Sequence, residues 1–339
     1  MSSARIKGVL SALLVLLFMC GLFLGPAGLG WSEQWDALLG REQGMAHTII
    51  WSLRLPRLCT ALLAGAALGL SGLMMQTYFR NALAGPSVLG VTSGATLGVA
   101  MVALGTGAVA GSVDGWGVAP QVVGALGGGG LVMVLLGLVM GRFRSRTALL
   151  IFGLMVGYLT GAMVTVLQAG ADAGALQAFV HWGMGSFAHG NGLSCAVMAL
   201  ATALAAAWAL RDGSSFDMWT LGTLAARTMG VDERKFTWAV LGTAGALAGL
   251  VTAWCGPVAF LGLATPHLVR AMGIRGRMAA MLVPVLLTGG VLALLADGIV
   301  RWMGVPLNAV LSLVGAPVVL LFILGKGPFA RQAQSGLRS

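Results

Sequence analysis

Ten apolar runs, each close to the length that crosses a bilayer, follow one another along this chain. They cover residues 9–29, 58–79, 88–109, 118–141, 147–169, 193–210, 237–254, 258–272, 278–300 and 309–324. A spanning helix needs about 20 predominantly apolar residues, so ten of them consume most of the 339 residues. The remainder is short connections with no room for a globular unit. Only 9% of residues are charged, against about a quarter in soluble domains, and mean hydropathy is +0.92. Such a chain cannot be a soluble enzyme. The expected fold is an all-α polytopic membrane protein of about ten transmembrane helices, with residues 1–339 forming one transmembrane domain.

Three runs carry further information. The first follows Arg5 and Lys7 but precedes no small-residue cleavage site, so it reads as a retained helix rather than a signal peptide. The eighth is short, flanked by Pro257 and interrupted by Pro266. Proline is tolerated at membrane depth where neighbours re-satisfy the freed carbonyls, which places this helix inside protein. Residues 173–188, after the fifth run, read as a short helix too polar to cross. Glycines recur four apart at Gly65 and Gly69, at Gly90, Gly94 and Gly98, and at Gly153, Gly157 and Gly161. That spacing keeps them on one helix face, as a groove for close packing or a smooth wall.

Charge sets the orientation. With the amino terminus inside, 16 of the 20 basic residues fall on the cytoplasmic side, leaving Arg41, Arg54, Arg57 and Arg301 outside. Most of the acids (Glu33, Asp36, Glu42, Asp114, Asp172 and, near the boundary, Asp297) accompany those four. This asymmetry is the positive-inside pattern, and an even number of spans returns the carboxyl terminus to the cytoplasm. It also accounts for the net charge of +10 without any nucleic-acid partner. Cys20, Cys59, Cys195 and Cys255 form no CxxC and read as small buried hydrophobes.

Chemistry is sparse. No phosphate-cradling G-x-x-x-x-G-K-[ST] is present, and His47, His181, His189 and His267 show no metal-ligand spacing. No helix centre holds the carboxylate that proton- or sodium-driven carriers usually bury. Asp297 lies near a helix end, four residues before Arg301, where a local pair is expected. Neither a catalytic group nor a metal nor a cofactor is implied. A conduit without its own energy source needs a partner, and the loop 211–236 offers a handle: residues 221–230 read as a short amphipathic helix ended by a glycine cap at Gly230.

Several blocks then fall in one order. Arg54-Leu55-Pro56-Arg57 precedes Gly65-Ala66-Ala67-Leu68, Gly72-Leu73-Met74-Met75-Gln76, Phe79-Arg80-Asn81-Ala82-Leu83-Ala84-Gly85-Pro86 and Leu89-Gly90-Val91-Thr92-Ser93-Gly94-Ala95. Further on come His181-Trp182-Gly183-Met184-Gly185-Ser186, Leu221-Gly222 through Ala226-Arg227 to Gly230, and Gly256-Pro257-Val258-Ala259-Phe260-Leu261-Gly262-Leu263. Pro266-His267-Leu268-Val269-Arg270, Leu295-Ala296-Asp297 and Gly315-Ala316-Pro317 close the series. This pattern resembles the permease subunits of type II ABC importers for iron-siderophores, haem and cobalamin. Two departures stand out: Ala82 where the family usually has proline, and Arg275-Gly276-Arg277 where it often has an Asp-His-Arg-like stretch.

The resemblance implies an inner-membrane homodimer with both termini cytoplasmic. Two cytoplasmic ATPase subunits would dock on the coupling loop, through Leu221, Gly222, Ala225, Ala226, Arg227 and Gly230. A periplasmic substrate-binding protein would meet Arg54, Arg57 and Arg301. Gly153, Gly157 and Gly161 would help line the pathway. ATP hydrolysis would belong to the partner, and the cargo would be an iron-siderophore or a related metal chelate.

Overall fold

Residues 58–75 are small or apolar on every side of the helical wheel, the pattern of a helix buried all round, and the fold is organised about the element they form. The computed structural model describes residues 3–25, 28–41, 44–105, 120–140 and 146–323. Glu42, Asp114, Arg142, Arg144, Lys326, Arg331 and Arg338, all used above for orientation, lie outside the described residues.

In chain order the helices are α1 (Ser3–Phe23), α2 (Trp31–Leu38), α3 (Met45–Thr48), α4 (Leu55–Phe79), α5 (Val91–Gly105), α6 (Pro120–Met140), α7 (Arg146–Ala169) and α8 (Ala173–Gly183). They continue with α9 (Gly192–Arg211), α10 (Gly213–Leu221), α11 (Thr223–Thr228), α12 (Glu233–Cys255), α13 (Leu261–Ala271), α14 (Met278–Met303) and α15 (Leu307–Ile323). No strand occurs among the described residues. Seven stretches are long and apolar enough to cross a bilayer alone, and the other three expected spans are the shorter helices α5, α13 and α15. The polar segment after the fifth span forms α8, as its composition predicts.

α4 is the axis. With α3 and a π-helical stretch, Ile49–Arg54, it makes one continuous run from Met45 to Phe79, 83% buried over its most apolar window. The π stretch has a local cause: Pro56 has no N–H to return to Ser52 and its ring crowds the preceding turn. The ladder widens there, and the Leu55 N–H bonds the Ile50 carbonyl five residues back. α12 and α14 flank α4 and are 67% and 61% buried, whereas α1, α6, α7 and α9 are 22–28% buried and face outward.

Backbone contact at glycines sets these crossings. A Cβ on Gly65 would land on the Gly289 carbonyl, and one on Gly72 on that of Gly262. These pairs let α14 and α13 lie directly on α4. Gly94 and Gly98 meet Gly128 and Gly124 in the same way, pairing α5 with α6.

The join between α12 and α13 is an irregular stretch of backbone between adjoining apolar helices. Gly256 (φ 73°) and Phe260 (φ 59°) reverse the chain, and Asn308, at the start of α15, satisfies the groups left over. Its amide donates to the Pro257 carbonyl at 2.6 Å and the Gly183 carbonyl at 3.2 Å, while its oxygen accepts the Ala259 N–H at 3.1 Å. Non-helical backbone at membrane depth needs such partners. The buried side of α13 (Leu261, Gly262, Ala264, Thr265, Pro266, His267 and Val269) agrees with the expectation that this helix is enclosed by protein.

Candidate functional site

Polar groups are gathered at the two ends of the bundle. At one end α4 finishes beside α10, α13 and the start of α14. There the Trp219 indole donates to the Tyr78 carbonyl at 3.0 Å, and Asp217 accepts the Met278 N–H at 2.8 Å. Arg270 bonds Gln76, and Gln76 in turn donates to the Leu263 carbonyl at 3.1 Å. Arg80, Arg211, Arg227, Arg234, Lys235, Arg270, Arg275 and Arg277 all belong to this basic end. The opposite end collects the close of α1, the start of α4, the α8–α9 connection and the close of α14.

The opposite end holds Arg54, Arg57 and Arg301 together, but turned inward. Arg54 is buried and donates to the Leu22 carbonyl at 2.7 Å, the Phe23 carbonyl at 3.4 Å and Gln34 Oε1 at 3.1 Å. Arg301 donates to the Gly21 carbonyl at 2.7 Å. The last carbonyls of a helix lack intrahelical partners, so two guanidiniums cap α1 and complement its dipole. Asp297, 1% exposed, accepts a hydrogen bond from Arg57 Nε at 2.7 Å, while Arg301 Nε lies 3.1 Å from its other oxygen as an ion pair. The local pair of Asp297 with Arg301 was legible from spacing, but the addition of Arg57 was not. Two guanidiniums thus share one carboxylate. Arg57 and Arg301 retain 22% and 18% side-chain exposure, whereas Arg54 is sealed beneath α2.

At the basic end, an aromatic cluster fixes the loop that joins α9 to α12. Tyr78 stacks on Trp219 at 5.5 Å, Trp219 meets Phe236 at 4.8 Å, and Phe216 meets Phe236 at 5.0 Å and Trp208 at 5.3 Å. The loop is two helices rather than one. Gly222 (φ 128°) breaks the chain between α10 and α11, so Leu221 closes the first helix and the second is Thr223–Thr228. Gly230 (φ 92°) terminates it, with the Val231 N–H reaching back to the Ala226 carbonyl at 3.0 Å. Ala226 is completely buried and Ala225 partly so, while Arg227 pairs with Glu233 of the same chain. The apolar surface this segment shows is Leu221, Leu224 and Met229, at 66%, 76% and 54% exposure. Sequence reading gave Ala226 an outward role. The six-residue helix instead turns it inward and turns Leu224 out.

The two departures noted in the sequence sit here as well. The Ala82 carbonyl accepts a hydrogen bond from His267 Nε2 at 2.7 Å, which ties the α4–α5 loop to α13. Gly276 (φ 105°) turns the chain, and Arg277 occupies the N-cap of α14.

The glycine stripe of α7 is divided. Gly153 and Gly157 pack against Gly90 and Ser93, whereas Gly161 faces open space one turn from exposed Tyr158. Asn308, Gln34 and the aromatic cluster went unread in the sequence. A polar residue opening an otherwise apolar run was the available signal for Asn308.

The sequence profile of the FecCD transport family matches residues 13–325. The vitamin B12 import system permease protein BtuC of Citrobacter koseri is 31% identical over 320 residues, covering 93% of each chain. That of Photorhabdus laumondii is 30% identical over 334 residues, covering 94% of this chain and 92% of its own. Among solved structures, an inward-facing ABC transporter assigned to the metal-chelate type superposes with a TM-score of 0.81 at 28% identity, covering 95% of this chain and 99% of its own. PsaBC of Streptococcus pneumoniae shares the fold, with a TM-score of 0.57 at 16% identity over 86% of this chain and 94% of its own.

Proposed function

This chain belongs to the FecCD transport family as a transmembrane permease subunit of a type II ABC importer, and from that premise we propose that it carries an iron-siderophore or related metal chelate inward across the bacterial inner membrane. One observation carries the cargo class: relatives along nearly the whole chain are named for vitamin B12 import and for metal-chelate transport, both chelated metals. Among the described residues no group of three or more His, Cys, Asp or Glu could hold a bare ion, which suits a cargo that brings its own ligands. Haem and cobalamin are the second reading, and the named relatives favour cobalamin.

The working unit in this proposal is a homodimer with two ATPase subunits at the basic end and a substrate-binding protein at the other. Concentration of lysine and arginine supports the basic end as cytoplasmic, with both termini on that side. Leu221, Leu224 and Met229 form the apolar contact for the ATPase, and the buried Ala226 backs it. Carboxylates of the binding protein meet Arg57 and Arg301, the two arginines with residual exposure. The open face of α7 around Gly161 is the candidate pathway wall.

The test is uptake into proteoliposomes holding the permease, its ATPase and its binding protein, offered ferric siderophores, haem or cyanocobalamin in turn. ATP-dependent accumulation of a ferric siderophore is the expected result. Accumulation of cyanocobalamin alone would establish the second reading, and uptake without ATP would overturn the importer.

A further inference from the structure

Cys59 and Cys195 are 136 positions apart in sequence and look unrelated there, yet the fold brings the Cys195 sulfur onto the stretch of α4 that carries Cys59. Pro56, Cys59 and Thr60 share one face of α4 at spacings of three and four, and Cys195 projects onto that face from the first turn of α9. Its sulfur lies 3.4 Å from Thr60 Oγ1 and donates to the Pro56 carbonyl at 3.6 Å. The position of α9 is fixed independently, because Asn191 and Ser194 form a reciprocal cap at 2.8 Å each way. The chain before that cap presses on α4 at the same place: a Cβ on Gly190 would strike the Thr60 hydroxyl. Neither cysteine is fully buried. Cys59 lies two residues, about 3 Å along the helix, from Arg57, which reaches solvent at the end opposite the basic one.

We propose that Cys59 and Cys195 are a disulfide-forming pair, a redox modification site that braces the α8–α9 joint to the central helix. The side on which it lies rests on the orientation proposed above, which puts the pair next to an oxidising extracytoplasmic space. The reaction is thiol–disulfide exchange with a disulfide-bearing oxidant. One cysteine thiolate attacks a sulfur of the oxidant, forming a mixed disulfide and releasing the first thiol. The second cysteine, as its thiolate, attacks the protein sulfur of that adduct and releases the second thiol. Two S–H bonds are lost and one S–S bond is gained. The oxidant's S–S bond is reduced to two thiols, and two electrons pass to it. Bond formation brings the two sulfurs to about 2.0 Å.

The oxidised state pins the start of α9 and the chain just before it to α4, at a point that the reduced protein holds by packing and hydrogen bonds. If the bundle moves between states during transport, the bond restricts that motion, and a reductant releases it.

The bond is tested on the purified full-length permease in detergent, equilibrated with oxidised glutathione, quenched with acid and alkylated. Peptide mass spectrometry without reduction is expected to show Cys59 linked to Cys195, with Cys20 and Cys255 alkylated. Cys59→Ser and Cys195→Ala are each expected to leave a glutathione adduct on the remaining partner. Alkylation of all four cysteines after oxidation, or linkage of either residue to Cys20 or Cys255, overturns the proposal. Intact spheroplasts given a membrane-impermeant disulfide then report the side: linkage there supports the extracytoplasmic placement. Linkage in detergent alone keeps the bond and rejects that placement. For the brace, ATP-driven uptake is expected to fall on oxidation and return with dithiothreitol, and unchanged uptake by fully linked protein overturns it.

Discussion

Replacing Asp297 with asparagine removes the carboxylate that Arg57 and Arg301 share, while side-chain size barely changes. Asp297 is 1% exposed and holds Arg57 at 2.7 Å and Arg301 at 3.1 Å. Removing one partner of a buried pair costs about 3–5 kcal/mol, because the other charge stays buried and uncompensated. Here both arginines keep some contact with solvent, and Arg301 retains the Gly21 carbonyl, so the lower end of that range applies. A loss of about 3 kcal/mol lowers the folding constant by roughly a hundredfold. Asp297→Ala should lose more, since asparagine can still accept one hydrogen bond. The assay is equilibrium unfolding in mixed micelles titrated with a denaturing detergent, followed by tryptophan fluorescence. Arg57→Leu combined with Asp297→Asn should recover part of the loss, because one unpaired charge has been removed. A midpoint for Asp297→Asn within about 0.5 kcal/mol of the parent, the range of an ordinary surface change, would refute the reasoning and reduce the cluster to a solvated charge patch.

Three further outcomes are expected. Leu224→Glu should fold and dimerise normally yet abolish stimulation of the ATPase, whereas Ala226→Leu should lower thermal stability of the isolated permease by overpacking a filled site, about 1–3 kcal/mol; the opposite assignment of effects would sink the placement of the two residues. In an Asp297→Asn background, which leaves no orphaned buried carboxylate, Arg57→Ala with Arg301→Ala should weaken binding-protein affinity and flatten its dependence on salt, each docking contact contributing only about 0.2–1 kcal/mol, while Arg54→Ala in the same background should leave that affinity unchanged and cost stability; surface plasmon resonance on nanodiscs across a salt series decides it. In a cysteine-free background, Ser215→Cys should be protected and Asp36→Cys labelled by an impermeant maleimide in spheroplasts, and the reverse pattern inverts the orientation.

The bundle was legible because its signal is one-dimensional. A run of apolar residues states the length of a membrane helix directly, and α4, α12 and α14 stand where their runs predict. Glycine spacing likewise foretold close approach at Gly65 and Gly98, although which backbone each would meet depended on the three-dimensional arrangement. Prediction weakened where the deciding contact is remote. Asp297 could be paired with Arg301 four residues away, but Arg57 joins them from 240 positions back. The docking expectation for Arg54 failed to foresee α1, whose exposed carbonyls take that side chain first. On α11 the difficulty was length. Six residues make fewer than two turns, so no periodicity distinguishes the buried Ala226 from the exposed Leu224. Gly222 did hold a clue, since a glycine between two short apolar stretches is a natural site for the positive φ that splits them.

The two charged or aromatic ends are joined by one element, which constrains how they can communicate. α4 carries Arg57 at its start and Tyr78 at its finish, 21 residues or about 32 Å apart. It is buried along most of that length and seated on α13 and α14 through backbone at Gly72 and Gly65. A side chain can change rotamer to absorb a small displacement, but a helix resting on carbonyl groups has no such slack. A force applied at Arg57 therefore cannot dissipate within α4. Movement of α4 draws Tyr78 with it, and the stacked Trp219 and Phe236 carry the motion into the loop that presents Leu224. Between the arginine end and the proposed ATPase contact the fold supplies a rod with a side-chain joint at its far end. Coupling between the two proposed partners would then rest on differential contacts at the two tips, without requiring a chain of rearranging side chains through the membrane.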